Sequence, residues 1–407
     1  MANIVLPEEL MLCILTRLPV KTIVRFKSVC KPWFHLFSTP EFKKLHQAQF
    51  SFSSDPKTQS FIFQSFDMFS IFNSESGKKR PTILDHPFDH AQNIELYTVG
   101  CCNGLVCIRR DQEIVLWNPA LKLSKTVPLK DCEPLKMVSL GFGYDAIGDD
   151  FKVVMIVANF VYGVGMNITS VEIYSVNLGS WITIDVGFRF RLFAIKNDLI
   201  VNGNPYWVAR VNGNDVLVCL DVSELVLKIV PWPTNYWMSL DEVAGADVDM
   251  ADLLVFEDET EIKTWTATER VVKLVDWNGA LGALIIKYEA EYSAGPLSPF
   301  KCSVRIECVR VWVFDDIEGI WRNDHTCGPI KVDVRRGIYC SKNGKVMGTL
   351  SSGTLFLLDL ETGCVKELFD EACFGSSFEV YAYTESLAYI NGMGKVVVKH
   401  EPNDLDD

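Results

Sequence analysis

The sequence predicts a mostly β protein: three short N-terminal helices followed by a β-propeller of six or seven blades. Three observations carry this. Residues 6–42 hold apolar side chains at helical spacing, punctuated by prolines. Beyond about residue 47 that period is replaced by short β-branched and aromatic runs bounded by Gly, Asn, Asp, Pro and Ser. An apolar run ending in Asn or Asp then recurs at a spacing that suits a four-stranded blade.

The helices follow from local chemistry. Pro7 suits the first turn of a helix because its missing N–H would have no partner there, and Glu8 and Glu9 place negative charge beside the positive end of the helix dipole. Leu10, Ile14, Leu15 and Leu18 fall on one face. Pro19 ends that helix and opens a second, with Ile23, Phe26, Val29 and Cys30 on one side and Arg25 and Lys27 on the other. Lys31-Pro32 starts a third containing Trp33, Leu36 and Phe37, and Pro40 is expected to close it. A unit of about forty residues without a disulfide or metal buries too little surface to fold firmly alone. It also holds more large apolar side chains than three short helices can hide, so the surplus forms an exposed patch of the kind that marks an interface. Periodicity alone leaves two outcomes open, a cap folded back on the rest of the chain or a surface for a partner.

The β body repeats. Six apolar runs end at Asn73, Asn118, Asn177, Asp221, Asp315 and Asp359, separated by 45, 59, 44, 94 and 44 residues. Asn and Asp side chains bond the backbone two residues on, which explains their place at a turn. The long interval holds either a degraded blade near Val271–Val275 or one blade with an insertion. The C-terminal runs Phe378–Tyr383, Ser386–Ile390 and Lys395–Val398 read as closing strands, because a propeller is stable only when its last blade pairs with its first.

Charge and cysteine usage narrow the function. The 407-residue chain carries −13; residues 1–50 balance at +4, which leaves −17 on the remainder. A body this acidic argues against nucleic acid as a partner. The opening Met-Ala-Asn-Ile has no basic region or long apolar core of a leader, so the 13 cysteines are expected to be reduced thiols of a cytosolic or nuclear protein, and the sequon Asn167-Ile168-Thr169 unglycosylated. The apolar stretch Val153–Met166 is interrupted and too short to span a bilayer, which takes roughly twenty residues.

No catalytic or metal constellation stands out. His86 and His90 with Asp85 and Asp89 flank Pro87 in a loop-like stretch without a further ligand pair. Cys101, Cys102 and Cys107 lack a Cys-x-x-Cys partner and read as strand cysteines. Gly141–Gly148 has the glycine density of a phosphate loop but neither the Lys-Ser/Thr pair nor the following helix, and reads as turns around a strand. No cofactor, metal or enzymatic activity is expected.

Leu6–Leu10, Ile14-Leu15, Arg17–Lys21, Arg25–Lys31, Trp33 and Phe42 together resemble the F-box motif of the plant type, departing from it at Pro32-Trp33-Phe34. Gly100–Cys107, Leu116–Ala120, Gly141–Asp145 with Asp150–Val154, and Val171–Tyr174 with Trp181 resemble the plant F-box-associated domain, similar in role to kelch-type propellers. The S-locus F-box subgroup is similar at the level shared by the wider family. The resemblance implies an F-box over 1–46, a linker and first β unit over 47–94, a substrate-binding F-box-associated propeller over 95–390, and a C-terminal strand and acidic tail over 391–407. It further implies a Skp-type adaptor, and through it a cullin, docked on Leu6, Pro7, Ile14, Leu15, Leu18, Pro19, Ile23, Phe26, Val29, Cys30 and Trp33. The expected function is the substrate-recognition subunit of a Skp-cullin-F-box ubiquitin ligase. The alternatives are a scaffold that uses the same helices without a ligase, or a propeller enzyme.

A last feature concerns the substrate. Asp241–Ile262 contains nine Asp and Glu and no Lys or Arg, so Glu257, Asp258, Glu259 and Glu261 form either a solvated acidic face or a rim that steers a basic protein.

Overall fold

The computed structural model describes residues 7–51, 60–66, 68–73, 80–88, 96–130, 136–161, 165–193, 199–232, 263–295, 298–336, 341–342, 344–350, 352–370 and 378–396. Four helices open the chain: α1 (Glu8–Leu15), α2 (Val20–Phe26), α3 (Lys31–Leu36) and α4 (Pro40–Ser51). The first three begin where the prolines predict. Pro7 and Pro19 stand at N-cap positions in extended backbone, and Pro32 lies in the first turn of α3. The expected end at Pro40 is corrected: Pro40 opens a fourth helix, because a proline that cannot continue one helix is tolerated in the first turn of the next. Among the described residues no helix is long and apolar enough to cross a membrane.

The strands among the described residues form six antiparallel meanders, each one blade. Blade 2 is Leu96–Cys102, Leu105–Arg110, Glu113–Asn118 and Leu123–Pro128. Blade 3 is Lys136–Asp145, Asp150–Val161, Gly165–Ser175 and Ser180–Ile184. Blade 4 runs from Ile200–Val201 through Asn204–Val211 and Asn214–Asp221 to Val226–Pro231. Blade 5 uses the longest strands, Lys263–Trp277, Ala280–Gly295 and Ser298–Asp315, with Ile320–Cys327 outside them. Blade 6 spans Ser341–Asp370. Blade 1 joins the two ends of the chain: Ser60–Ser65, Met68–Asn73 and Thr82–Ile83 are completed by Glu379–Tyr383, which pairs antiparallel with Ser60–Ser65. One Asn or Asp marker sits at or just beyond the end of the third strand of each blade, and the 94-residue interval contains, among the described residues, one blade and no remnant of another.

The cores lie between blades and close into a ring. Phe69, Trp117 and Tyr383 join blades 1 and 2, and Leu116, Phe142 and Val153 join 2 and 3. Ile156, Trp207 and Val218 join 3 and 4, and Leu217, Leu281 and Phe314 join 4 and 5. Leu284, Val309 and Phe356 join 5 and 6, and Phe63, Leu357 and Phe369 return to blade 1. Burying the apolar flank of each sheet against its neighbour is what stabilises a blade that could not stand alone. Two indoles repeat one latch: Trp181 Nε1 donates to the Pro128 carbonyl at 3.3 Å, and Trp321 Nε1 to the Pro231 carbonyl at 2.8 Å, each tying an outer strand to the blade before it. The turn chemistry is as expected, since Asp221 Oδ1 accepts from the N–H groups of Ser223 and Glu224, and Asp315 Oδ1 from those of Ile317 and Glu318. Gly141 and Gly143 belong to a strand of blade 3. A Cβ on Gly141 would stand 2.4 Å from the Trp207 ring and one on Gly143 2.4 Å from the Gly203 carbonyl, so close approach of blade 4 requires both glycines.

One closing segment departs from expectation. Ser386–Ile390 is not a strand, although Glu379–Tyr383 and the short Gly394–Lys395 are. Its backbone is held by side chains instead of a ladder. Asn118 Nδ2 donates to the carbonyls of Ser386 and Ala388, and Ser386 Oγ donates to the Asn103 carbonyl at 2.7 Å.

Candidate functional site: an apolar helical surface on one end of the propeller

The helices pack through one apolar cluster in which Leu15, Val20, Ile23, Phe37 and Phe42 are buried and Trp33, Phe26 and Leu18 partly so. Its rings form a chain, with Phe26–Trp33 centroids at 5.2 Å, Trp33–Phe37 at 5.9 Å and Phe37–Phe42 at 5.0 Å. The cluster does not end with the helices. Leu387 of the C-terminal segment is buried in it, and Ala120 and Leu121 from the outer turn of blade 2 pack against it.

Polar contacts fix the same docking. Lys44 Nζ lies 3.3 Å from Asp149 on the first hairpin of blade 3, and Asp149 also accepts from Tyr144 Oη at 2.5 Å. Lys43 Nζ stands 5.7 Å over the Tyr389 ring. Burial pushes the Glu385 carboxyl above the usual carboxylate range, a shift that the charge of Lys21 opposes. His46 is fully buried, and its Nε2 meets the Leu18 carbonyl at 2.9 Å. Burial holds that imidazole below its ordinary range, with the Leu18 carbonyl opposing.

These contacts divide the predicted docking residues. Pro7, Ile14, Pro19, Val29 and Cys30 are exposed, Ile14 at 52% and Val29 at 61%. Leu18, Phe26 and Trp33 are half-buried. Leu15 and Ile23, at 3% and 0%, are core residues that support the surface from beneath and present nothing to a partner. Leu6 lies outside the described residues. Further large apolar side chains of the helices, Leu10, Val24, Phe34 and Leu45, are also exposed. The signal for Leu10 was present in its i, i+4 relation to Ile14. For Val24 and Phe34, which neighbour assigned residues in the chain, only knowledge of which face packs inward decides.

The helices therefore meet the end of the propeller that carries the first and third hairpins of the blades. In an antiparallel meander the second hairpins and the links between blades emerge at the opposite end. The strands that flank residues 233–262, Val226–Pro231 and Lys263–Trp277, both open toward that opposite end. Glu257, Asp258, Glu259 and Glu261 themselves lie outside the described residues. His86 is buried among Phe69 and Phe88, with ring centroids 5.7 Å away in each case, and His90 lies outside the described residues. Cys102 and Cys107 are buried strand residues, and burial pushes the Cys107 thiol well up.

A short helical unit with an outward apolar face, seated on a propeller, is the arrangement of an F-box joined to an interaction domain. Family comparison agrees, with residues 5–45 matching the F-box domain and residues 56–294 the F-box associated beta propeller domain. The chain belongs to the F-box proteins that carry this propeller. Among its relatives are three proteins of Arabidopsis thaliana. An F-box/kelch-repeat protein is 26% identical over 67% of this chain and 81% of its own length. F-box/WD-40 repeat-containing protein 1 is 28% identical over 51% and 50%, and a further F-box protein is 32% identical over 52% and 57%. The chain thus spans half the length of the one and 57% of the other. Of solved structures, TolB from Acinetobacter baumannii is similar at 10% identity and a TM-score of 0.40, covering 84% of this chain and 73% of that one.

Proposed function

We propose that this protein is the substrate-recognition subunit of a Skp-cullin-F-box ubiquitin ligase, acting in the cytosol or nucleus. The observation that carries the reading is the F-box match combined with the exposed apolar surface of Leu10, Ile14, Val24, Val29 and Phe34, which the helices leave uncovered after docking on the propeller. Lys21, Arg25 and Lys31 on the same helices are all exposed and suit electrostatic steering of an acidic adaptor. The chemistry belongs to the ligase's other subunits. This chain contributes proximity, turning attack by a substrate lysine into an effectively intramolecular step. Membership of the S-locus subgroup, and with it a basic partner for residues 241–262, belongs to this proposal and rests on sequence resemblance and charge alone.

The test is capture from a reconstituted mixture of Skp-type adaptor and cullin by the full chain. Wild type should retain both. Ile14→Ala/Val29→Ala should lose about tenfold in adaptor affinity, which requires only about 1.4 kcal/mol from the pair together. Retention of wild-type affinity by that variant, or absence of the cullin from wild-type complexes, would overturn the reading.

A further inference from the structure

The turn between α2 and α3 carries the one Ser or Thr in the chain that follows an arginine by three positions: Ser28, in Arg25-Phe26-Lys27-Ser28. Arg25, Lys27 and Lys31 lie within three residues of it, and no Asp or Glu stands between Glu9 and Glu41. Ser28–Pro32 are all exposed, so opening this turn uncovers little apolar surface. Arg25 is exposed too, and among the described residues it enters no ion pair, which leaves its guanidinium open to a visiting carboxylate.

The hydroxyl sits at a sensitive point of the helical surface. Ser28 Oγ donates to the Arg25 carbonyl at 2.7 Å, and the Ser28 N–H reaches the same oxygen at 3.2 Å. That carbonyl belongs to the last turn of α2, where the helix itself supplies no α-helical donor. Val29, the next residue, is the most exposed large apolar side chain of the helices, at 61%.

A serine three positions after an arginine is what arginine-directed protein kinases select, because carboxylates beside their catalytic cleft pair with that guanidinium. A phosphate ester there carries a charge of about −1.5 to −2 at pH 7. Three effects then act in one direction. The dianion must be stripped of water if a partner is to cover Val29. It offsets much of the positive charge of Arg25, Lys27 and Lys31 that steers an acidic adaptor. Esterification also removes the donor to the Arg25 carbonyl and sets negative charge at the C-terminal end of α2.

We propose that Ser28 is a phosphorylation site for an arginine-directed serine/threonine kinase, and that its phosphorylation closes the helical surface to the adaptor. The Ser28 oxygen bonds to the γ-phosphorus of ATP, the bond from that phosphorus to ADP breaks and ADP leaves with the electron pair, and the hydroxyl proton passes to the kinase's carboxylate base. The second half of the proposal rests on the receptor reading above; the modification itself does not.

The experiment treats the full chain with MgATP and the catalytic subunit of cyclic-AMP-dependent protein kinase as the probe, maps phosphate by peptide mass spectrometry, and titrates adaptor before and after. Wild type should take phosphate on Ser28, and adaptor bound beforehand should protect it. The phosphorylated chain should bind adaptor at least about tenfold more weakly. Arg25→Gln should greatly slow the transfer to Ser28. Ser28→Ala takes no phosphate there and should bind adaptor as unmodified wild type does, with or without kinase, which separates the added charge from the lost hydroxyl. Absence of phosphate from Ser28, transfer undiminished in Arg25→Gln, transfer unhindered by bound adaptor, or undiminished adaptor affinity of the phosphorylated chain would overturn the proposal. If the unmodified chain captures no adaptor, the receptor reading and the switch fall together, and transfer to Ser28 that depends on Arg25 still upholds the modification site.

Discussion

The side-chain amide of Asn118 donates to the Ser386 carbonyl at 3.2 Å across 268 residues of chain, and to the Ala388 carbonyl at 2.8 Å. Asn118 Oδ1 meanwhile accepts from the Leu121 N–H at 3.1 Å, so one buried residue closes its own turn and anchors the C-terminal segment. Leu387 lies between the two bonded carbonyls and is buried among the helices, so the same anchor seats the F-box on the propeller.

Asn118→Asp keeps the turn acceptor and removes both donated bonds. It should destabilise the full chain by about 2–3 kcal/mol, since buried carbonyls left without donors retain their desolvation cost. Urea titration measures the loss. Hydrogen exchange should localise it to residues 384–396 and the helices, and protection unchanged there would contradict the anchoring role.

Exposed and buried members of the helical surface should separate binding from stability. Ile14→Ala and Val29→Ala should weaken adaptor binding and shift the unfolding midpoint little. Leu15→Ala and Ile23→Ala should cost about 2–5 kcal/mol of helical stability, as deletions in a packed core do. Thermal melts run beside adaptor titrations check the division, and equal effects of all four on both measurements would refute it.

Removing residues 378–407 takes away Glu379–Tyr383, the partner of Ser60–Ser65. The exposed edge should then recruit other copies, giving aggregation on size-exclusion chromatography and incomplete recovery from urea. A monomeric, cooperatively unfolding truncation would show that blade 1 is stable without its C-terminal strand.

His46 gives the packing among the helices a pH dependence. Its folded pKa lies below the ordinary value because of burial, so the unfolded chain binds a proton that the folded chain resists. The stability it contributes is fully present above the unfolded value of about 6.5 and is lost as pH falls through the lower folded value. Denaturant titrations from neutral pH downward should show this decline in wild type. In His46→Gln, which lacks the titration, the decline over that window should be shallower, and identical pH profiles would exclude the group.

The surprises at Ser386–Ile390, Pro40 and the split between Ile14 and Leu15 share a cause. The apolar run in Ser386–Ile390 suits a closing strand, but whether a ladder or an asparagine satisfies its carbonyls depends on residues hundreds of positions away. Proline is acceptable in a first turn and unacceptable in an interior, so Pro40 marked a helix boundary without saying which side of it was helix. Ile14 and Leu15 are adjacent and equally apolar, and only the packing of the helices with one another and with Leu387, Ala120 and Leu121 makes one a surface residue and the other a core residue.

What the sequence determined by itself was whatever rests on short-range chemistry: helix starts at Pro7, Pro19 and Pro32, six turns marked by Asn or Asp, and hence the repeat that defines the blades. The tertiary structure alone decided that the 94-residue interval holds a single described blade and that the helices sit against the hairpins of blades 2 and 3. Turns and caps are made by a side chain and the backbone a few residues away, so their signals are written side by side in the chain. Blade pairing comes from residues brought together by burial of the inter-blade cores, a gain shared over the whole ring and therefore carried by no single stretch.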